Sequence, residues 1–186
     1  MISIDSDAAT RSMDDLGRLR ASEGASGSAE SLATLDGGGR VEVGRLVESD
    51  MEAVARLYEQ FWGEPSSVER MREAFRRLKS NPDYVFLAAK NGGELLGTAT
   101  GIFCGDLYGE CRPFMVVENF VVDAGWQRTG VGSALMRELE AAAVERDCTQ
   151  IILVTESDRV DTVSFYESLG YESGPYRGFK KRLQSG

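Results

Sequence analysis

The sequence predicts one mixed α/β domain behind a polar tail. Three features carry that expectation. From Val41 onward, segments with helical spacing of apolar residues alternate with short apolar runs. The run Phe114 to Val122 is apolar on both faces, as a central covered strand is. The length, 186 residues, suits a single domain that buries a core without disulfide help.

Residues 1–40 stand apart. They contain no aromatic residue and are rich in Ser, Ala, Gly and Asp, with Asp36-Gly37-Gly38-Gly39 near the end. Such a stretch buries too little apolar area to offset its ordering entropy, so residues 1–40 are expected to form a disordered tail and residues 41–186 the domain. Val41, Val43 and Leu46 fit a short first strand. Ser49-Asp50-Met51-Glu52 reads as a capping box opening a helix to Trp62, with Met51, Val54, Tyr58 and Phe61 on one face. Ser66-Ser67-Val68-Glu69 reads as a second box, and its helix carries Val68, Met71, Phe75 and Leu78 before stopping ahead of Asn81-Pro82.

Tyr84 to Ala89 and Leu95 to Phe103 form a hairpin around Asn91-Gly92-Gly93. A loop, Cys104 to Pro113, leads to the central strand. A helix runs from Gly130 to Arg146 with Val131, Leu135, Leu139 and Ala142 inward, and Thr149 to Thr155 is another buried strand. The last helix starts at Val160 and ends at Leu169 with Gly170 beyond it; Asp161 is its candidate cap. Two short strands are expected within Tyr171 to Leu183.

Composition narrows the function. With 21 Lys+Arg against 30 Asp+Glu, the net charge is -9. Such a surface repels nucleic acid and anionic membrane. No run is long enough to span a bilayer, and the acidic N-terminus lacks the pattern of a signal peptide. Three cysteines, Cys104, Cys111 and Cys148, without C-x-x-C spacing, suggest reduced thiols in a cytoplasm, not a disulfide framework or a zinc site. There is no histidine, which excludes Ser–His and Cys–His nucleophilic chemistry. A general base must then be a carboxylate, a Tyr, a Lys or water. Arginine outnumbers lysine, an association with a bacterial source.

The most specific stretch is Val121-Val122-Asp123-Ala124-Gly125-Trp126-Gln127-Arg128-Thr129-Gly130-Val131-Gly132-Ser133. A strand leads through a loop into Gly-x-Gly at a helix start, where free N–H groups and the helix dipole favour phosphate. A dinucleotide fold is one reading, with Glu156 ending the next strand as a ribose ligand. Against it, Leu135 stands at the third glycine position and the first glycine lies beyond a loop.

The other reading has wider support. Gln127-Arg128-Thr129-Gly130-Val131-Gly132 resembles the Gln/Arg-x-x-Gly-x-Gly/Ala signature of the GNAT superfamily, the acetyl-CoA-dependent N-acetyltransferases. Val117 to Asp123 resembles the family's fourth strand, and Asp161 to Tyr171, ending Phe-Tyr-x-x-Leu-Gly-Tyr, resembles the helix of its second cofactor motif. The resemblance implies a mixed, mostly antiparallel central sheet flanked by helices. It implies acetyl-CoA as co-substrate and a primary amine, on a small molecule or a protein, as acceptor. A homodimer is compatible with it. A binding module that senses acyl-CoA without turnover is the alternative.

By the same resemblance, the backbone of Arg128, Thr129, Gly130, Val131, Gly132 and Ser133 would hold the pyrophosphate, and Val121 and Val122 would pair with the pantetheine arm. Tyr166 stands where the family keeps its general acid, although it also belongs to the apolar stripe Val160, Val163, Tyr166, Leu169. Glu118 is the base candidate. Simple alternation puts it on one face with Val116, Phe120 and Val122, where burial would penalise its charge. The base of the family's histone-modifying members aligns with Val116, so Glu118 is read as base or as a residue positioning the amine. Phe61, Trp62 and Tyr108, with Asp106 and Glu110, lie in regions that form the acceptor side in relatives, where aromatics and acids suit an ammonium.

Overall fold

The computed structural model describes residues 31–35, 39–174 and 177–183. Six strands form one sheet in sequence order. They are β1 (Ser31–Thr34), β2 (Arg40–Arg45), β3 (Tyr84–Asn91), β4 (Glu94–Cys104), β5 (Phe114–Val122) and β6 (Ile151–Leu153). Pairing is antiparallel from β1 to β5 and parallel between β5 and β6. The helices are α1 (Met51–Trp62), α2 (Val68–Leu78), α3 (Val131–Glu145) and α4 (Val160–Ser168).

Each face of the sheet has its own core. On one face, Val131, Leu135, Met136 and Leu139 of α3 are fully buried against Val41, Leu96, Ala99 and Met115. Close approach requires small residues on β4: a Cβ at Gly101 would stand 3.0 Å from Leu139 Cδ2 and 3.1 Å from Met115 Sδ. On the other face, α1 and α2 bury Met51, Val54 and Phe75 with Leu46 and Ala88. Ion pairs tie α2 to α1, Arg72–Glu52, and to the turn before α1, Arg76–Glu48, both 2.6 Å, and the Arg76 guanidinium holds Glu48 below the usual carboxylate range.

Several expectations need correction. The expected tail contributes a strand: β1 pairs with β2, Ala33 and Leu35 pack on the α3-side core, and the Leu35 N–H donates to the Gly39 carbonyl at 2.7 Å. The polar composition hid it because an edge strand can be held largely by backbone pairing. Residues 1–30 and 36–38 of the expected tail lie outside the described residues.

The caps are shifted. A 3₁₀ turn, Glu48–Asp50, precedes α1, and the Val47 N–H donates to Asp50 Oδ2 at 3.0 Å, while Glu52 is taken by Arg72. Ser67, not Ser66, caps α2, accepting from the Arg70 N–H at 3.4 Å. Asp161 lies in the first turn of α4, whose N-cap is Arg159. No strand forms among the described residues of 171–183; Phe179 and Leu183 are fully solvated there, and the basic run Lys180-Lys181-Arg182 between them gives a sheet nothing apolar to cover.

The largest departure from simple alternation lies in β5. Two steps along β4, Thr98 to Thr100, face three along β5, Val121 to Glu118. The extra residue makes a β-bulge, and Asn119 stands within it at φ 52°, a left-handed conformation that Asn tolerates better than most residues. Past the bulge the faces exchange. Glu118, with Val116, shares a face with Thr98, Thr100 and Val121, looking toward α1 and α2. Phe120 and Val122 turn to the α3 side instead.

Candidate active site

β5 and β6 pair only from Met115–Val117 against Ile151–Leu153. Beyond that the strands part. Glu118 to Val122 therefore keep β4 on one edge and have no strand on the other. An unpaired edge offers backbone N–H and C=O groups to an extended ligand. The gap opens at the carboxyl ends of the two parallel strands, where α/β sheets place their ligands.

The loop after β5 carries this edge into α3. Asp123 folds it: Oδ1 accepts the Gly125 N–H at 2.8 Å, and the Asp123 carbonyl accepts the Trp126 N–H at 2.9 Å. Gln127 donates to the Val122 carbonyl at 3.3 Å, and the Thr129 hydroxyl to the Trp126 carbonyl at 2.7 Å. Arg128 sits at φ 64° and Gly130 at φ 99°, so the chain enters the helix through a left-handed turn. Gly130 is the N-cap of α3, and no side chain caps the helix; no acid occupies its first turn. The N–H groups of the first turn, with the positive end of the dipole, thus remain available to an anion. This donor set fits a pyrophosphate. Gly132 has a packing role: a Cβ there would stand 3.1 Å from Cζ of Phe165 on α4.

The two candidate catalytic side chains approach from opposite faces. Tyr166 is buried within an aromatic cluster, its ring centroid 6.0 Å from Phe120, 5.1 Å from Phe165 and 6.0 Å from Tyr171. Among the described residues no side chain hydrogen-bonds its hydroxyl, whereas the neighbouring Tyr171 has a partner. Burial pushes Tyr166 up to about 12, so the phenol is a protonated donor across the neutral range. Tyr171, by contrast, donates to Glu140 Oε1 at 3.1 Å; burial first, and then that carboxylate, raise it. Glu118 is exposed on the α1 side, not buried as simple alternation predicts.

α1 ends across the gap. Phe61 and Trp62 are both exposed, in edge-to-face contact at 4.9 Å, with Tyr58 behind Trp62 at 5.0 Å. The Arg159 guanidinium lies 4.3 Å over the Phe61 ring and pairs with Glu156 at 2.9 Å. Glu156, the ribose ligand of the dinucleotide reading, is engaged there. Tyr108 is not brought to this place. Its loop joins the other end of β5, a nine-residue strand, or about 30 Å away along it, and Tyr108 and Leu107 project into solvent. A depression of about 250 Å³ lined by Glu140, Ile151, Leu169, Gly170 and Tyr171 holds none of the expected site residues.

Sequence reasoning missed Gln60, which bonds the loop after β5, and the buried pair Thr98 and Thr100 beneath Glu118. The threonines leave a trace, polar residues alternating through an apolar strand. Gln60 leaves none. No helix among the described residues is long and apolar enough to cross a membrane.

Comparison with known proteins agrees with this architecture. Human N-alpha-acetyltransferase 30 is 29% identical over 125 residues, 67% of this chain and 33% of that protein. Aminoglycoside N(6')-acetyltransferase type 1 of Stenotrophomonas maltophilia is 26% identical over 126 residues, 67% of this chain and 81% of that one. The Bacillus subtilis protein YdhI is 30% identical over 87 residues, and the alignment spans about half of each chain, 47% and 49%. The structure of glucosamine-6-phosphate N-acetyltransferase from Arabidopsis thaliana superposes with a TM-score of 0.68 at 20% identity, covering 76% of this chain and 97% of that one. The model of the acetyltransferase (GNAT) family matches residues 51–171, from the start of α1 to Tyr171, and the chain belongs to that family.

Proposed function

We propose that the protein transfers an acetyl group from acetyl-CoA directly to a primary amine. One observation carries the reading: the free edge of β5, Glu118 to Val122, runs into the uncapped start of α3 at Gly130. An extended pantetheine arm would pair with Val121 and Val122, and the pyrophosphate would meet the N–H groups of Arg128 to Ser133, with the Arg128 side chain adding charge.

The chemistry then divides between two residues. The amine nitrogen attacks the thioester carbonyl carbon, the C–S bond breaks, and the leaving thiolate takes the Tyr166 proton. The proton lost by the amine passes to Glu118, directly or through a water. Burial raises the Cys148 thiol, which disfavours a thiolate nucleophile there and supports direct transfer. Phe61 and Trp62 form the acceptor side; Tyr108, at the far end of β5, is left out of it. N-terminal amines and aminoglycosides, the acceptors named for two relatives, head the candidates, and free thiols suit a bacterial cytoplasm.

The test follows thiol release from acetyl-CoA by the full chain against a panel of aminoglycosides, polyamines and peptide amines. Amine-dependent release supports transfer. Acetyl-CoA binding without release from any amine would favour the sensor.

A further inference from the structure

Gln60, near the end of α1, uses both atoms of its amide on the loop that opens toward α3. Its Nε2 donates to Asp123 Oδ2 at 3.3 Å, and its Oε1 accepts the Ala124 N–H at 3.1 Å. Asp123 uses its other oxygen for the Gly125 N–H. Two elements more than sixty positions apart in sequence are thus joined at the base of the 3₁₀ turn Ala124–Trp126, which leads to Gly130. The next residue, Phe61, is stacked under Arg159 from the loop after β6. The end of α1 therefore spans the gap between the two parallel strands and is held on both sides.

We propose that Gln60 is a positioning residue that sets the cofactor loop, and that through it α1 couples the acceptor side to acetyl-CoA affinity. Gln60 itself touches neither substrate. It fixes Asp123 and Ala124, which fix the turn delivering Gly130 to the helix start. Because Phe61 and Trp62 follow Gln60 on the same helix, an acceptor that holds α1 in place also holds the loop. Linkage requires the effect to run both ways: acetyl-CoA that orders the loop orders the acceptor side. The inference rests on the acetyl-CoA reading above.

The experiment measures acetyl-CoA binding by calorimetry on the full chain, for the unaltered protein and three variants. Binding by the unaltered protein tests the acetyl-CoA reading alone. Given that binding, Gln60→Ala should weaken it about fivefold, the order expected for one lost hydrogen bond of typical net strength. Gln60→Glu should weaken it further, since two carboxylates then face each other. Gln60→Glu combined with Asp123→Asn restores the contact in reverse: the amide introduced at position 123 donates to the carboxylate introduced at position 60, and the Ala124 N–H still has an acceptor. That pair should recover most of the affinity. Hydrogen exchange without ligand supplies a second readout, with faster exchange at Gly125 to Thr129 in Gln60→Ala and slower exchange again in the pair. Unchanged affinity and exchange in Gln60→Ala, or no recovery in the pair, would overturn the proposal while leaving the acetyl-CoA reading intact.

Discussion

Glu118 and Val121 share one face of β5 although they stand an odd three positions apart, because Glu118 is paired with Thr100 and Val121 with Thr98. The bulge around Asn119 makes this possible. It leaves the carboxylate on the α1 side and turns Phe120 toward Tyr166, 6.0 Å away between ring centroids. The same strand thus serves both candidate catalytic groups from its two faces, beside the gap where β6 leaves it.

The bulge has a stability signature. Asn119→Val places a β-branched residue at positive φ and should cost about 1–2 kcal/mol. Asn119→Gly should lie close to the unaltered protein. Urea denaturation of both variants checks this. Equal stability of the Val variant would show that the strand can relax to regular pairing.

Removing the phenol should affect chemistry more than binding. Tyr166→Phe keeps the ring among Phe120, Phe165 and Tyr171, so the fold persists. Turnover should fall roughly 100-fold, the lower range for a lost general acid, while the acetyl-CoA Kd stays within about twofold. Steady-state rates beside calorimetry separate the two. Normal turnover would remove Tyr166 from the mechanism.

For Glu118, the expected change lies in turnover. If Glu118 accepts the amine proton, Glu118→Gln should lower kcat roughly 100-fold, the lower range for a lost general base, with the KM for the amine within about twofold. A raised KM at unchanged kcat would assign Glu118 to positioning the amine.

Alkaline unfolding should report the buried phenols. Burial raises Tyr58 and Tyr166 to about 12 each from 10.0. As pH rises above about 10 the unfolded chain loses these protons first and the folded chain keeps them, so stability falls through the window from about 10 to 12. Below that window both states are protonated and these groups contribute no slope. Tyr166→Phe should make the decline shallower, measured by urea midpoints at stepped pH. An unchanged slope would mean that Tyr166 is not buried in solution.

Where local physics dominates, the fold is readable from the sequence. α3 announces itself by its apolar spacing, and Val131, Leu135 and Leu139 are fully buried. The β3–β4 hairpin is marked by Gly92 and Gly93, which take φ 54° and 87°. Simple alternation places Glu118 correctly with respect to Val116 and wrongly with respect to Phe120 and Val122. Period-two reasoning cannot detect one inserted residue, and only the positive φ of Asn119 reveals it. β1 is hidden because edge pairing draws on backbone groups that every residue carries. Gln60 is invisible because its partners, Asp123 and Ala124, are brought to it by the tertiary fold.

The central claim is that the β5 edge and the α3 start form an acetyl-CoA site, and thermal unfolding of the full chain tests it most directly. Acetyl-CoA at a hundred times its Kd should add about 2.7 kcal/mol, a rise of roughly 5–10 °C in Tm. NAD should produce no shift. No shift with acetyl-CoA at millimolar concentration would contradict the account, and transfer and sensing would fall together.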